Sequence, residues 1–386
     1  MDLTQLRARI DEIDEQLATL LCQRMDCSAA VAAYKIQHHL PVLNADREQQ
    51  VLDKVREQIR QQRPDDAGYP QAAALVFATM MDTSRALQHR RMEAGETLRS
   101  QIAAARKRPL ATGATRVACA GCAGAFAHQA ALTMFPFCRE KGREPLFVSS
   151  FADVFAAVEE GRVDYGVLPV ENSSTGSVNE VFDLILAHRF SIVSAAVVEV
   201  HHCLLGLPGA KKITEVYSHH QALSQCGEYI AAHGLHAHAY ANTAMAAEMV
   251  ARQGNPAVGA IASEQAAKLY GLQIVQRDIQ SIPHNCTRFI AISKTPVIPP
   301  DADKISLIFS IPHTTGSLYR TLSRFAIDGL NLTKIESRPM RTGDFEYAFY
   351  LDFEGGVDKE ETLELLCALS EEMPQFTFLG NYHEWT

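Results

Sequence analysis

Apolar residues near the start of the chain recur at helical spacing. Leu3, Leu6, Ile10, Ile13, Leu17 and Leu20 alternate steps of three and four, the seam of a long helix that packs in coiled-coil fashion. Pro41 ends it. A second helix is predicted over about 46–62, with Val51, Leu52, Val55 and Ile59 inward, and a third over about 70–91 after the breaks at Pro64 and Gly68. Residues 93–114 shift to Ala, Arg, Lys, Thr and Gly and read as a linker. Strand-like runs then alternate with helical stretches, at 116–120, 165–170, 192–200, 257–262 and 289–292, the pattern of an α/β domain over 115–295. Pro296, Pro299 and Pro300 mark a second linker. The tail, 303–383, reads β-α-β-β-α-β, the order of a ferredoxin-like α+β sandwich. The expectation is three domains: helices over 1–92, α/β over 115–295 and α+β over 303–383.

Composition narrows the class. A chain of 386 residues exceeds one ordinary core, and 47% hydrophobic with 21% charged residues is the balance of a soluble globular protein. The net charge of −9 argues against a nucleic-acid partner. No apolar run is long enough to cross a bilayer, and the first residues lack the layout of a signal peptide. A cytoplasmic protein without membrane association is expected. Nine cysteines without framework spacing suit reduced thiols. Cys119 and Cys122 form a lone CxxC with no second pair, and the His201-His202, His219-His220 and His236/His238 pieces sit in unrelated contexts, so no metal site is expected.

Candidate chemistry lies where polar groups interrupt apolar tracks. By sevens the first seam runs Leu3, Ile10, Leu17, Arg24, Val31. A guanidinium cannot discharge, so Arg24 in a core slot calls for an anion opposite. Lys35 lies about three turns on, ~16 Å by helical rise, close enough for two long side chains to converge on a small dianion. Arg7 is ~25 Å from Arg24 along the same helix and would serve only from an antiparallel partner chain, which favours a homodimer or higher homo-oligomer. On the third helix Phe77 and Met81 lead to Ser84 and Gln88, polar where apolar groups were due, and Arg47-Glu48 opens the second helix. Each alone is what a solvated helix face carries; polar groups on all three helices together indicate a ligand.

In the α/β region, residues 168–180 crowd Glu171, Asn172, Ser173, Ser174 and Thr175 into a turn at Gly176, at a helix start where backbone N–H groups attract anions. A strand followed by Ser218, His219 and a helix bearing Gln225 repeats the design, and Gly121–Gly124 makes a third such turn. No G-x-G-x-x-G is present, so a nicotinamide site is not indicated. Asn285-Cys-Thr-Arg-Phe-Ile-Ala-Ile292 puts a hydroxyl and a fixed cation, Thr287 and Arg288, at the mouth of a buried strand.

Three resemblances follow. Leu6-Arg7, Arg24, Lys35, Pro41-Val42, Asp46-Arg47-Glu48 and Ser84-Arg85-Ala86-Leu87-Gln88 resemble the all-helical chorismate mutase domain, a three-helix intertwined dimer. That likeness implies that Arg7 (from the other protomer), Arg24 and Arg47 bind substrate carboxylates. Lys35 and Gln88 would hydrogen-bond the ether oxygen, with Glu48 and Ser84 toward the ring hydroxyl. Asn44 stands where relatives often carry Asp. Segments 121–131, 169–180, His202-Cys-Leu-Leu205, Ser218-His219, Gln225-Cys226, 269–272 and Thr287-Arg-Phe289 are similar to prephenate dehydratase, with Cys122 and His220 as mild departures. The implied fold has two α/β lobes, like a periplasmic binding protein, with the site in the cleft between them.

Prephenate aromatises by losing CO2 and its ring hydroxyl. Thr287 is the expected positioned donor to the departing oxygen and Glu171 the rival acid. Asn172, Ser173, Ser218, His219 and Gln225 would hold the substrate, and Arg288 would add positive potential. Neither step calls for a metal or cofactor. The tail's Gly316-Ser-Leu-Tyr319 and Glu336-Ser-Arg-Pro339 resemble the ACT regulatory domain. This implies phenylalanine binding by Gly316, Ser317, Leu318, Glu336, Ser337, Arg338 and Pro339 at a tail-to-tail interface, and feedback inhibition. The expectation is a bifunctional isomerase and lyase of phenylalanine biosynthesis taking chorismate through prephenate to phenylpyruvate. The alternative is a cytoplasmic anion- or amino-acid-binding regulator with a helical dimerisation domain and no turnover.

Overall fold

A computed structural model of the chain describes residues 2–92, 95–111, 113–340 and 347–386. They form two compact units, Met1–Ala103 with Ile308–Thr377, and Ala104–Leu307 with Phe378–Thr386. The N-terminal helices and most of the tail, far apart in sequence, therefore belong to one unit.

The three predicted N-terminal helices are present as α1 (Leu3–Gln37), α2 (Ala45–Gln62) and α3 (Tyr69–Met92). Asp2 and Gln5 make a capping box at the start of α1, and Asn44 caps α2 by accepting from the Arg47 N–H. The stretch expected as a linker contains a further helix, α4 (Glu96–Arg106); its Leu98, Ile102 and Ala105 are buried, a 3–4 spacing that the surrounding Arg and Gln obscure in the sequence. Leu52 of α2 packs with Ala74, Ala78 and Met81 of α3. α1 is different: Leu3, Ile10, Leu17 and Leu20 are each more than half exposed, and its buried residues are Ser28 and Ala32. The apolar seam predicted for this helix exists, and within one chain it is uncovered.

The second unit holds β1 (Val117–Ala120), α5 (Phe126–Met134), β2 (Leu146–Val148), α6 (Phe151–Glu159), β3 (Tyr165–Asn172), β4 (Gly176–Ser177), α7 (Asn179–His188), β5 (Ser191–Glu199), β6 (Cys203–Gly206), β7 (Glu215–Ser218), α8 (His220–Gln225), α9 (Gly227–Ala232), β8 (His236–Ala239), α10 (Thr243–Gln253), β9 (Val258–Ala262), α11 (Glu264–Tyr270), β10 (Gln273–Gln276) and β11 (Cys286–Ser293). Two sheets result. β5, β11, β3, β1 and β2 lie side by side in that order, with β11 antiparallel to both its neighbours; β10, β6, β9, β7 and β8 form the second sheet. The chain crosses from the first sheet to the second after Glu199 and returns before Cys286, so the two α/β lobes expected over this region are present. The short strands at 146–148, 236–239 and 273–276 escaped the periodic reading because they carry exposed or half-buried residues rather than an apolar run.

The tail follows the predicted order: β12 (Lys304–Ser310), α12 (Ser317–Ile327), β13 (Leu332–Pro339), β14 (Tyr347–Glu354), α13 (Glu360–Glu372) and β15 (Phe376–Tyr382), with the sheet arranged β13-β14-β12-β15. A final short strand, β16 (Glu384–Trp385), joins the large sheet beside β5.

A buried charge network joins α2, α3, α12 and α13 in the first unit. Asp82, with its side chain fully buried, receives Arg320 on both oxygens at 2.9 and 3.1 Å and also Arg85. Arg85 reaches Glu48 as well, and Glu372 receives Arg324 at 2.9 Å and the His89 ring at 2.6 Å. Three carboxylates thus face three guanidiniums. Charges this deep persist only when paired, and deleting one partner strands the other. Burial opposes ionisation of Glu372, but the hydrogen bond from His89 and the charges of Arg324 and Arg85 pull its carboxyl down from the usual 4.5 to about 2.

A depressed carboxylate contributes stability that is complete above its unfolded pKa and is lost as pH falls through its folded one. Glu372→Gln should lower unfolding free energy at pH 7 by about 3 kcal/mol and flatten the decline of stability between pH 4.5 and 2. Denaturant titrations across that window check this; a variant as steep as the parent would contradict it.

Candidate active sites

A cleft of about 330 Å³ lies between the two lobes of the second unit, lined by polar side chains from Ser149, Asn172, His202, His219, Gln221, Gln225, Asn242, Thr243 and Thr287 over apolar walls such as Phe126 and Phe289. That size and mixture suit a small polar molecule. Gly121, at positive φ, lines one rim, and nearby Gly124, also at positive φ, sits against Ala266 with no room for a Cβ to spare. The helix that follows, α5, has no side-chain cap, and its first residues face the cleft. Its unsatisfied N–H groups add positive potential there.

Asn172 is the hub. Thr287 pairs with it across β3 and β11. The amide can be oriented only one way: Oδ1 accepts from the backbone N–H of Ser174 and Thr175 at 3.0 and 3.2 Å, and backbone N–H groups only donate. The opposite end, Nδ2, carries two protons and faces three acceptors, Asn285 Oδ1 at 2.8 Å, Thr287 Oγ1 at 2.9 Å and the Cys286 carbonyl at 3.1 Å, so toward Thr287 it can only donate. The direction of the neighbouring bonds follows. Burial lowers the pKa of His202, so its ring is neutral near pH 7, and Nε2–H donates to Gln225 Oε1 at 2.9 Å. Gln225 Nε2 donates to Ser174 Oγ at 2.9 Å, and Ser174 donates to Asn172 Oδ1 at 2.6 Å. The series His202, Gln225, Ser174, Asn172, Thr287 runs one way, and its last member has a proton left to give. No described residue accepts it.

Not every expected residue reaches this cleft. Adjacent strand residues face opposite ways, and Arg288 turns from Thr287 to pair with Glu384 and to donate to Tyr382 Oη at 3.0 Å. Lys304 joins the pair; although burial opposes it, Arg288 and Lys304 hold the Glu384 carboxyl below its usual range. The guanidinium expected to bind substrate is therefore a partner of Glu384 behind the sheet. Glu171, on the same alternation, is not among the cleft's lining residues, nor is Ser173, whose hydroxyl accepts from Cys286 N at 2.9 Å. Ser218 is fully buried and donates to the Ile261 carbonyl. His219 does line the cleft, and burial lowers its pKa. Asn242 and Thr243 were missed by sequence reasoning; an Asn cap before a helical run was the available signal.

In the first unit, α1 and α3 bring Arg24, Lys35, Ser84 and Gln88 together. Arg24 donates to Ser84 Oγ at 2.6 Å, and Lys35 donates to Gln88 Oε1 at 3.1 Å and to the Val42 carbonyl. Burial lowers the pKa of both cations while Glu48 raises it. Glu48 is half-buried beside them. Arg7 and Arg47 are exposed and stand outside this cluster in a single chain.

The tail has its own cavity of about 600 Å³, lined by Gly316, Ser317, Leu318 and Tyr319 with Tyr347 and Phe349 among others. Glu336, Ser337, Arg338 and Pro339 lie instead on the edge strand β13 and do not line it.

Comparison with known proteins agrees with this division. A family model described as Chorismate mutase type II matches residues 6–89, and one described as Prephenate dehydratase matches residues 117–297. A bifunctional chorismate mutase/prephenate dehydratase of Aquifex aeolicus is 33% identical over 99% of this chain and 98% of its own length. The chain belongs to the bifunctional chorismate mutase/prephenate dehydratase family. Two solved structures share the fold of part of this bifunctional chain, each with a TM-score of 0.61. One, described as a novel type of quorum quenching acylase, is 32% identical and covers 69% of this chain and 97% of its own. The other, a prephenate dehydratase of Arthrobacter aurescens in complex with L-Phe, is 26% identical and covers 70% and 90%. The mutase match encloses the Arg24 cluster, and the dehydratase match encloses the Asn172–Thr287 cleft.

Asn172→Asp tests the bond direction. A carboxylate keeps the backbone contacts of Oδ1 but cannot donate, so Thr287 would turn its proton toward residue 172. Dehydration of prephenate should fall about a hundredfold while mutase turnover stays within about twofold; near-parental dehydratase turnover would contradict the directed series.

Proposed function

We propose that the chain converts chorismate to prephenate at the Arg24–Lys35 cluster and prephenate to phenylpyruvate at the Thr287 cleft. The observation that carries the second step is the unclaimed proton of Thr287 at the end of the directed series of hydrogen bonds in the cleft. As the ring carboxylate leaves as CO2, its bonding electrons move into the ring and expel the hydroxyl, which takes a proton from solvent to depart as water while the pyruvyl side chain keeps its own carboxylate. Thr287 Oγ1–H donates to that oxygen while Asn172 holds the hydroxyl in place. An alkyl alcohol is a poor acid, so its part is a positioned hydrogen bond to the oxygen gaining charge. Neutral donors from Gln225, Asn242 and Thr243, with the start of α5, receive the remaining carboxylate and keto oxygens.

The Claisen step needs a folded substrate and donors on the ether oxygen, not a nucleophile. Lys35 and Gln88, already 3.1 Å apart, open to take that oxygen between them, and Arg24 receives a carboxylate. A second copy of the chain covers the exposed seam of α1 and brings its own Arg7 to the cluster, so the mutase works as a dimer. The tail cavity, with Tyr319, Tyr347 and Phe349 beside a glycine-bearing turn, takes phenylalanine as feedback inhibitor in the manner of an ACT domain, with the β13 edge at the tail-to-tail contact.

Thr287→Ala should lower dehydratase kcat at least about a hundredfold and leave mutase kcat within about twofold. Arg24→Ala should do the reverse. Assays with each substrate supplied separately check this; parallel loss of both activities in either variant would contradict two independent sites.

A further inference from the structure

Glu48 is held from two directions. Arg85 of α3 takes Oε1, and Arg320 of α12, in the tail, stands 3.4 Å from Oε2. Arg320 is anchored independently: its fork closes on both oxygens of the buried Asp82 carboxylate, at 2.9 and 3.1 Å, and that pairing raises its pKa. Two planar N–H edges on one carboxylate fix the guanidinium's orientation, so the nitrogen turned toward Glu48 is not free to wander. The 3.4 Å separation matters as well. Arg85 occupies the near oxygen tightly, whereas Oε2 is steered by charge without being saturated and can still accept a hydroxyl. Glu48 in turn is the carboxylate that acts on Arg24 and Lys35.

We propose that Arg320, a tail residue, is a positioning residue for the mutase reaction: anchored on Asp82, it holds Glu48 Oε2 toward the cluster of Arg24, Lys35, Ser84 and Gln88. This rests on the reading of that cluster as the mutase site. The mutase centre of this chain is then completed from outside the N-terminal helices.

The test is a double-mutant cycle on the full-length chain, with chorismate disappearance and prephenate dehydration measured separately. Arg320→Gln should lower mutase kcat about tenfold with KM within about twofold. Arg320→Lys, which keeps one charge but loses the fork, should fall between the two. In a Glu48→Gln background neither change should lower mutase kcat further, and dehydratase kcat/KM should stay within about twofold throughout. Independent, multiplying losses in the two backgrounds, or an unchanged Arg320→Gln enzyme, would overturn the proposal. If Arg320→Gln does not fold, the Arg320→Lys cycle decides the same question. Full mutase activity in Glu48→Gln alone would instead remove Glu48 from the site, and the role of Arg320 with it; that result is read before Arg320 is touched.

Discussion

One hydrogen bond organises the dehydratase cleft, the donation from Asn172 Nδ2 to Thr287 Oγ1 at 2.9 Å. Its direction is forced, because the other end of the amide is claimed by two backbone N–H groups that can only donate. Everything upstream, through Ser174 and Gln225 to the neutral His202, serves to hold that amide. The bonds also tie the loop after β3 to α8, so the two lobes meet through the same groups that set the hydroxyl.

Strand alternation gives the other half of the account. Thr287 and Arg288 are neighbours, yet one serves the cleft and the other closes an ion pair with Glu384 of the last strand. The cation that looked like a substrate ligand instead fastens β16 to the large sheet from behind. The cleft is left with neutral donors, which can bind carboxylates and still let one depart as CO2.

Much of this was readable from the chain. Helical spacing and the Pro and Gly breaks placed α1, α2 and α3 within a few residues, the order of the tail elements was right, and the polar turns at 121–124, 172–176 and 218–225 do surround one cleft. What failed did so for physical reasons. The face on which Arg288, Glu171 and Ser218 lie depends on pleat and register, and no motif records which face meets the ligand. The helix at 96–106 was hidden by its charged face. Asp82, Arg320, Arg324 and Glu372 carry no signal in the sequence because most of their partners lie far away along the chain, Asp82 and Arg320 hundreds of positions apart. Ion pairs of that separation leave no local pattern.

The central claim is that the Thr287 proton meets the leaving oxygen of prephenate. A crystal structure with a non-reactive prephenate analogue bound tests it most directly. The account predicts the analogue's ring hydroxyl within about 3 Å of Thr287 Oγ1, with the Asn172 bond intact and Arg288 still paired with Glu384. An analogue bound with that hydroxyl facing away from Thr287, or against a freed Arg288, would contradict it.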